Sequence, residues 1–234
     1  MYLPPGYSES DTRYPVFYLQ DGQNLFDPAT AFGGNDWNAD LTADAGIRLG
    51  AIQPLILVGI YNTGVRRISE YTPTRDRYTR KGGKAARYAQ MMAREIKPFI
   101  DSEYRTRKGA ADAGVGGSSL GALVSLMAAL TYPKVFGKVA MLSPSVWWDQ
   151  QSILPLVENW TRPERPRIWL DTGTAEGDNP AKVVEDARLL RDAFLRKAWR
   201  SEADLHYEEI CGAGHNEFAW RERFARVLQY LYSG

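Results

Sequence analysis

A glycine and serine pentapeptide constrains the fold of this chain more than any other feature. Residues 117–121 read GxSxG with Ser119 at the centre, and an apolar helical pattern follows. A serine at a sharp strand-to-helix turn needs glycines two residues before and two after it, because a Cβ atom there would crowd the turn. If Ser118 were the central serine, Leu120 would occupy one of those positions. The motif predicts a nucleophile at Ser119, and the alternative interpretation is a plain tight turn.

Apolar runs alternate with helical patterns along the rest of the chain. The runs typical of buried strands are 14–19, 55–61, the small-residue run 110–116, 139–142, 167–170 and 204–210. Helical patterns cover 40–49, 85–102 (with Pro98 expected to kink or shorten the helix), 119–132, 179–197 and 217–231. This alternation predicts an α/β fold with a mainly parallel central sheet and helices on both faces. The length of 234 residues suits one domain, 1–234.

Charge and composition exclude several classes of function. The 29 basic residues nearly balance the 28 acidic ones, so no net field favours nucleic acid or an anionic membrane. No apolar run has the length of a membrane span and the first residues do not resemble a signal peptide, so we expect a cytoplasmic protein. Cys211 is the only cysteine and is expected to be a small buried hydrophobe. No metal or nucleotide-cofactor motif is present, and the oligomeric state is not readable.

A serine nucleophile needs a base, and the chain has two histidines. His206 lies inside the last predicted strand, where a side chain on the face of the sheet is the ordinary interpretation. His215 follows the glycine-containing turn 212–214, just past the carboxyl end of that strand. Ligands of open α/β sheets bind at this edge, so we favour His215 as the base.

The acid that orients the base is expected on the turn after the preceding strand, which gives the chain order serine, acid, histidine. Three residues are candidates. Glu176 stands on the loop and ranks first; Asp178 precedes a helix start and ranks second; Asp171 is still close to the strand and ranks third.

Two backbone amides are expected to stabilise an oxyanion. One is the amide of Leu120, directly after the nucleophile. For the other we choose Gln23, because Asp21 and Gly22 form a turn after the first strand, and glycine permits close approach of the backbone. A plain turn is the alternative for these two residues.

Tryptophans near strand ends are candidates for an apolar substrate-binding wall. Trp37 follows the oxyanion turn, and Trp148 follows the fourth strand. Core packing is the alternative, and we consider it stronger for Trp147 than for Trp148, since adjacent residues at a strand end tend to point in opposite directions.

The charged segment 62–84 predicts a lid or a pocket wall, since loops of this length are unusual inside a compact domain. Arg66 or Arg67 could contact an acidic substrate there, but a salt bridge to Glu70 is the favoured role. A local basic cluster in the segment is interpreted as solvated loop charges: Arg77, Arg80, Lys81 and Lys84.

Motifs along nearly the whole chain, in order, resemble the Putative esterase family related to esterase D, and within it the predicted hydrolases allied to enterochelin esterases. They are LPPGY at 3–7, DGQNLF at 21–26, Val58–Ile60 followed by Asn62, Arg67 with EYTP at 70–73, PFIDSEYR at 98–105, the serine elbow, SPSVWW at 143–148, and Gly214 with His215.

The resemblance implies an α/β-hydrolase fold, in which the family's nucleophile, acid, base and second oxyanion amide fall on Ser119, Glu176, His215 and Gln23. Some relatives work with a serine and histidine dyad. Family members usually have a strand before LPPGY, whereas this chain begins within that stretch, so one sheet edge is expected to be shorter or built differently. Ala122 replaces a common glycine, a change that a helix tolerates.

Together these observations predict a serine carboxylic ester hydrolase that forms an acyl-enzyme on Ser119 and acts on a small-molecule ester without a cofactor. Alternatives are an acyltransferase to a sugar or alcohol, a siderophore (enterochelin-type) esterase, a feruloyl or acetyl-polysaccharide esterase, and a non-catalytic scaffold with a degenerate site.

Overall fold

A computed structural model describes residues 1–234 and contains one six-stranded sheet. The strands are β1 (Val16–Gln20), β2 (Ile56–Ile60), β3 (Ala113–Ser118), β4 (Lys138–Leu142), β5 (Arg167–Gly173) and β6 (Leu205–Ile210). Their order in the sheet is β2-β1-β3-β4-β5-β6, and every neighbouring pair is parallel. The carboxyl ends of all six strands therefore meet at one edge, where the loops that follow them gather.

Eight α-helices surround the sheet: α1 (Ala39–Arg48), α2 (Arg67–Tyr71), α3 (Ala85–Met91), α4 (Lys97–Glu103), α5 (Leu120–Thr131), α6 (Leu154–Glu158), α7 (Pro180–Arg196) and α8 (Glu217–Tyr232). The side chains of strand β1 show which helices cover each face of the sheet. Val16 and Tyr18 belong to a core that includes α3, α5 and α7, whereas Phe17 and Leu19 belong to a core that includes α1 and α8. The predicted α/β fold with helices on both faces is confirmed.

Helix α5 is the most deeply buried helix. Eleven of its twelve residues are buried, because the sequence LGALVSLMAALT is apolar or small on every side. It packs against α3 and against β3 and β4. Pro133 follows two residues after its end, where a proline stops further helical hydrogen bonding. This rigid support fixes the turn that precedes the helix.

Pro98 does not end or shorten the second predicted helix, 85–102. Helices α3 and α4 are joined without a break by a π-helical segment, Met92–Ile96. Pro98 is the second residue of α4, which begins directly after the π-helical segment. The wider π turn before it lets the chain continue past the proline ring.

The β2 edge of the sheet and the residue after β6 both bear on expectations from the sequence. At the β2 edge, Tyr2 exchanges two backbone hydrogen bonds with Leu57 in an isolated antiparallel bridge, at 2.9 and 3.1 Å, and no further strand pairs with β2 on that side. Cys211 directly follows the carboxyl end of β6 and is exposed, so its predicted burial is wrong. The reason is that the chain leaves the sheet at this residue. No helix has the combination of length and hydrophobicity needed to cross a bilayer.

Candidate active site

Ser119 occupies the strained turn between β3 and α5. Its backbone angles are φ 57° and ψ −123°, a region that residues with a Cβ rarely adopt. A Cβ added to Gly117 would lie 2.9 Å from Gln20 Cβ, and one added to Gly121 would lie 3.1 Å from the same atom. The two glycines therefore let the turn close over the Gln20 side chain, and the strained residue is Ser119 rather than Ser118.

A cavity of about 320 Å³ opens at this turn, and both Ser119 and His215 line it. The Ser119 hydroxyl hydrogen-bonds to Ser145 Oγ at 3.0 Å and makes no hydrogen bond to His215. Ser145 is buried in the loop after β4. Most of the lining is polar, and its apolar members are Phe32 and Trp220.

The His215 ring is held from two sides. Its Nδ1 atom lies 2.8 Å from Glu176 Oε2, and Trp220 packs edge-on against the ring at 5.0 Å between centroids. Nε2 is the nitrogen that remains for other partners. His206, by contrast, lies near the start of β6, pairs with Glu202 and stacks on Trp169 at 4.2 Å between centroids.

Glu176 is almost fully buried, with 1% of its surface exposed. Its second oxygen, Oε1, accepts hydrogen bonds from the Gly173 amide and the Ser143 hydroxyl, both at 2.5 Å. Of the three candidate acids, Glu176 alone contacts His215. Asp178 is exposed, and Asp171 lies within β5 because that strand runs three residues further than predicted.

A buried ion pair lies behind Glu176, and the sequence reasoning missed it. Arg223 Nη2 lies 3.1 Å from Asp171 Oδ1 and 3.9 Å from Glu176 Oε1, and it also donates to Ser143 Oγ. Burial raises the pKa of Asp171 to about 6, while the Arg223 guanidinium opposes that rise. A signal was present: position 223 falls on the apolar face of α8 next to Phe224.

Two backbone amides at the pocket have no acceptor. The Gln23 amide lies in the 3₁₀ turn Gly22–Asn24 after β1, and the Leu120 amide begins α5; neither donates a hydrogen bond. A Cβ on Gly22 would lie 2.5 Å from the Gly59 carbonyl carbon, so this turn packs directly on β2. Unused amides at a helix start can receive an anion.

Arg67 does not pair with Glu70, so the favoured role for Arg67 is wrong. Its guanidinium makes a two-pronged contact with the Asp21 carboxylate, 2.7 Å at each oxygen, and Asn62 donates to the same carboxylate at 2.7 Å. Glu70 accepts instead from Thr63. Helix α2 turns Arg67 toward the sheet, where the buried Asp21 outcompetes the half-buried Glu70; Arg67 and Asp21 both line the pocket.

The predicted tryptophan wall is wrong for both residues. Trp37 is 2% exposed and packs on Trp220 and Phe224, and Trp148 is 6% exposed with its indole nitrogen donating to the Thr74 carbonyl at 3.1 Å. Neither lines the pocket. Trp147 is the exposed member of its pair, because the chain turns after β4 so that Trp148 faces the core.

Comparison with known proteins decides the family. Residues 1–231 match the model of the Putative esterase family. The chain belongs to this family. It is a family of carboxylic ester hydrolases, so the predicted enzyme class and the resemblance found in the sequence are confirmed.

Relatives and solved structures show how far the esterase likeness extends. The chain is 30% identical to the uncharacterized protein YjcH of Bacillus subtilis over 99% of this chain and 89% of that protein. It is 24% identical to the endo-1,4-beta-xylanase/feruloyl esterase of Xylanibacter ruminicola, over 99% of this chain but 29% of that protein. The structure of the siderophore hydrolase EstA from Aspergillus nidulans has a TM-score of 0.72 at 21% identity, covering 97% of this chain and 87% of that one.

Proposed function

We propose that this esterase is a single-domain serine hydrolase, residues 1–234, that cleaves small carboxylic esters through an acyl-enzyme on Ser119. The observation that carries the proposal is the 2.8 Å contact between His215 Nδ1 and Glu176 beside a pocket that also contains Ser119. A histidine held at Nδ1 by a carboxylate presents Nε2 as a base, which is the arrangement that activates a serine hydroxyl.

In the proposed first step, Ser119 Oγ attacks the ester carbonyl carbon and His215 Nε2 takes the hydroxyl proton. The carbonyl oxygen becomes an oxyanion and accepts hydrogen bonds from the unused Gln23 and Leu120 amides. The tetrahedral intermediate then breaks its bond to the alcohol oxygen, which leaves with the proton from His215. The acyl group is now joined to Ser119.

Water completes the proposed cycle. It attacks the acyl carbon while His215 accepts its proton, and collapse returns the proton to Ser119 with release of the acid. Without substrate the Ser119 hydroxyl pairs with Ser145, 3.0 Å away. Hydrogen bonds of catalytic groups often tighten only when substrate is bound, so we expect Ser119 to rotate toward His215 on binding.

The pocket supports a small, polar ester. A lining of mainly hydrogen-bonding side chains and a volume of about 320 Å³ suit a short acyl group better than a long alkyl chain. Relatives named for feruloyl and siderophore esters place those two ester classes among the substrates to be tested alongside acetyl esters.

The experiment is a pair of neighbouring serine variants assayed on p-nitrophenyl acetate. Ser119→Ala is expected to reduce kcat/KM by about 10³-fold or more, because the nucleophile is lost. Ser118→Ala removes an adjacent serine that ends β3 and is expected to keep activity within about tenfold. Activity retained in folded Ser119→Ala would contradict the proposal. Adding alcohol acceptors and measuring the acyl products tests the acyltransferase alternative.

A further inference from the structure

One carboxylate in the pocket has no basic partner. Glu217 is the first residue of α8, two residues after His215, and it lines the same cavity as Ser119. Its Oε1 atom accepts a hydrogen bond from Asn24 Nδ2 at 3.0 Å. No lysine, arginine or histidine lies within 4 Å of its carboxylate oxygens.

The other charges of the lining cancel. Arg67 and Asp21 neutralise each other through their two-pronged contact, and His215 is held by Glu176 beneath the pocket. Glu217 therefore gives the cavity that Ser119 also lines one carboxylate without an ion-pair partner. Its position at the start of α8 favours the ionised form, since the helix dipole stabilises an anion there.

Partial burial strengthens the electrostatic interaction between the Glu217 carboxylate and a bound ligand. The pKa of Glu217 is raised above its usual value, chiefly by burial; the Asp21 carboxylate adds to the rise, and a hydrogen bond from the residue's own backbone, His215 and Arg67 oppose it. A carboxylate held away from water interacts more strongly with a bound charge than an exposed one does. A cation or a hydrogen-bond donor would supply the partner that the pocket lacks, and a second carboxylate would be repelled.

We infer that Glu217 is a specificity residue, which selects esters that carry a positive charge or a hydrogen-bond donor beside the scissile bond and disfavours esters that carry a carboxylate there. The inference rests on the proposed function at Ser119 and adds a substrate class to it. It also predicts that anionic esters are the poorest substrates of this site.

The test measures how two ligands of nearly the same shape inhibit hydrolysis of p-nitrophenyl acetate. Choline carries a quaternary nitrogen where 3,3-dimethylbutan-1-ol carries a quaternary carbon. Wild-type protein is expected to bind choline about fivefold more tightly by competitive Ki, which corresponds to ~1 kcal/mol. Glu217→Gln keeps an oxygen acceptor for Asn24 but loses the charge, so the ratio of the two Ki values is expected to fall to about one.

A variant on the same helix provides the control. Glu222→Gln removes the same charge from an exposed position of α8 and is expected to keep the wild-type Ki ratio. An equal ratio in wild type and Glu217→Gln, or an equal fall in Glu222→Gln, would overturn the inference while hydrolysis still depends on Ser119. Hydrolysis that persists in Ser119→Ala would instead overturn the proposed function.

Discussion

Replacing Glu176 by glutamine tests the proposed acid with almost no change of shape. The carboxylate accepts at both oxygens: His215 Nδ1 lies 2.8 Å from Oε2, and the Gly173 amide and Ser143 hydroxyl lie 2.5 Å from Oε1. Glutamine has one oxygen and one NH₂ group. Whichever way the amide turns, its NH₂ faces a group that donated to the carboxylate.

The Gly173 amide decides the orientation, because a backbone N–H cannot become an acceptor whereas an imidazole can change tautomer. The glutamine oxygen therefore stays on Gly173, and its NH₂ donates to His215 Nδ1. The proton then moves to Nε2, where it prevents His215 from accepting the Ser119 proton. An asparagine in place of the acid has this effect in a serine triad at about 10⁴-fold in kcat. We expect Glu176→Gln to lose about 10³- to 10⁴-fold, or ~4–5.5 kcal/mol of transition-state stabilisation.

The assay is kcat and KM for p-nitrophenyl acetate, with Asp178→Asn as the matched control. Asp178 lies on the same loop, is exposed, and undergoes the same change from carboxylate to amide. It is expected to keep kcat within about threefold, as surface substitutions do. If Glu176→Gln stays within tenfold of wild type, the acid is not Glu176 and a serine and histidine dyad becomes the better account. If Asp178→Asn loses as much as Glu176→Gln, the loss does not come from the contact between Glu176 and His215.

Two further predictions concern the support of the site. Gly173→Ala should destabilise the fold by ~2 kcal/mol or more and lower kcat, because its Cβ would lie 2.2 Å from the Ala213 carbonyl oxygen. The control is Gly109→Ala, whose Cβ would have its nearest neighbour at 3.7 Å. It should change neither the free energy of unfolding in urea nor kcat in steady-state assays. Asp171 has a folded-state pKa of about 6, raised above 3.8, so its contribution to stability should fall as pH rises from about 4 to about 6. The unfolding free energy of wild type minus that of Asp171→Asn should therefore decrease from about pH 4 to about pH 6. A difference that does not change with pH would contradict the raised pKa of a buried Asp171.

The strands and the serine turn were predictable because their signals are local. Buried parallel strands are continuous apolar runs, and the turn at Ser119 needs glycines at fixed spacing. The pairing of Glu176 with His215 followed from topology, since both come from loops at the carboxyl edge of the sheet.

Side-chain direction at loop residues was not predictable. Trp148 and Trp37 turn into the core, and Arg67 prefers Asp21 to Glu70, because contacts between elements far apart in sequence decide each case. The buried Arg223 could have been noticed as a charge on an apolar helix face, but its partners lie 52 and 80 residues away at Asp171 and Ser143. Sequence periodicity shows that such a residue is buried, but it does not identify the residues that pair with it.

The central claim is that the acyl group passes through Ser119, and trapping that intermediate tests it most directly. Wild-type protein is mixed with p-nitrophenyl acetate, quenched in acid within the first turnover, digested and analysed by mass spectrometry. We predict an added acetyl group on the peptide containing Ser119, and its absence from the same peptide of Ser119→Ala. Rapid turnover with the acetyl group on another residue, or with an equal burst of p-nitrophenol from Ser119→Ala, would contradict the account.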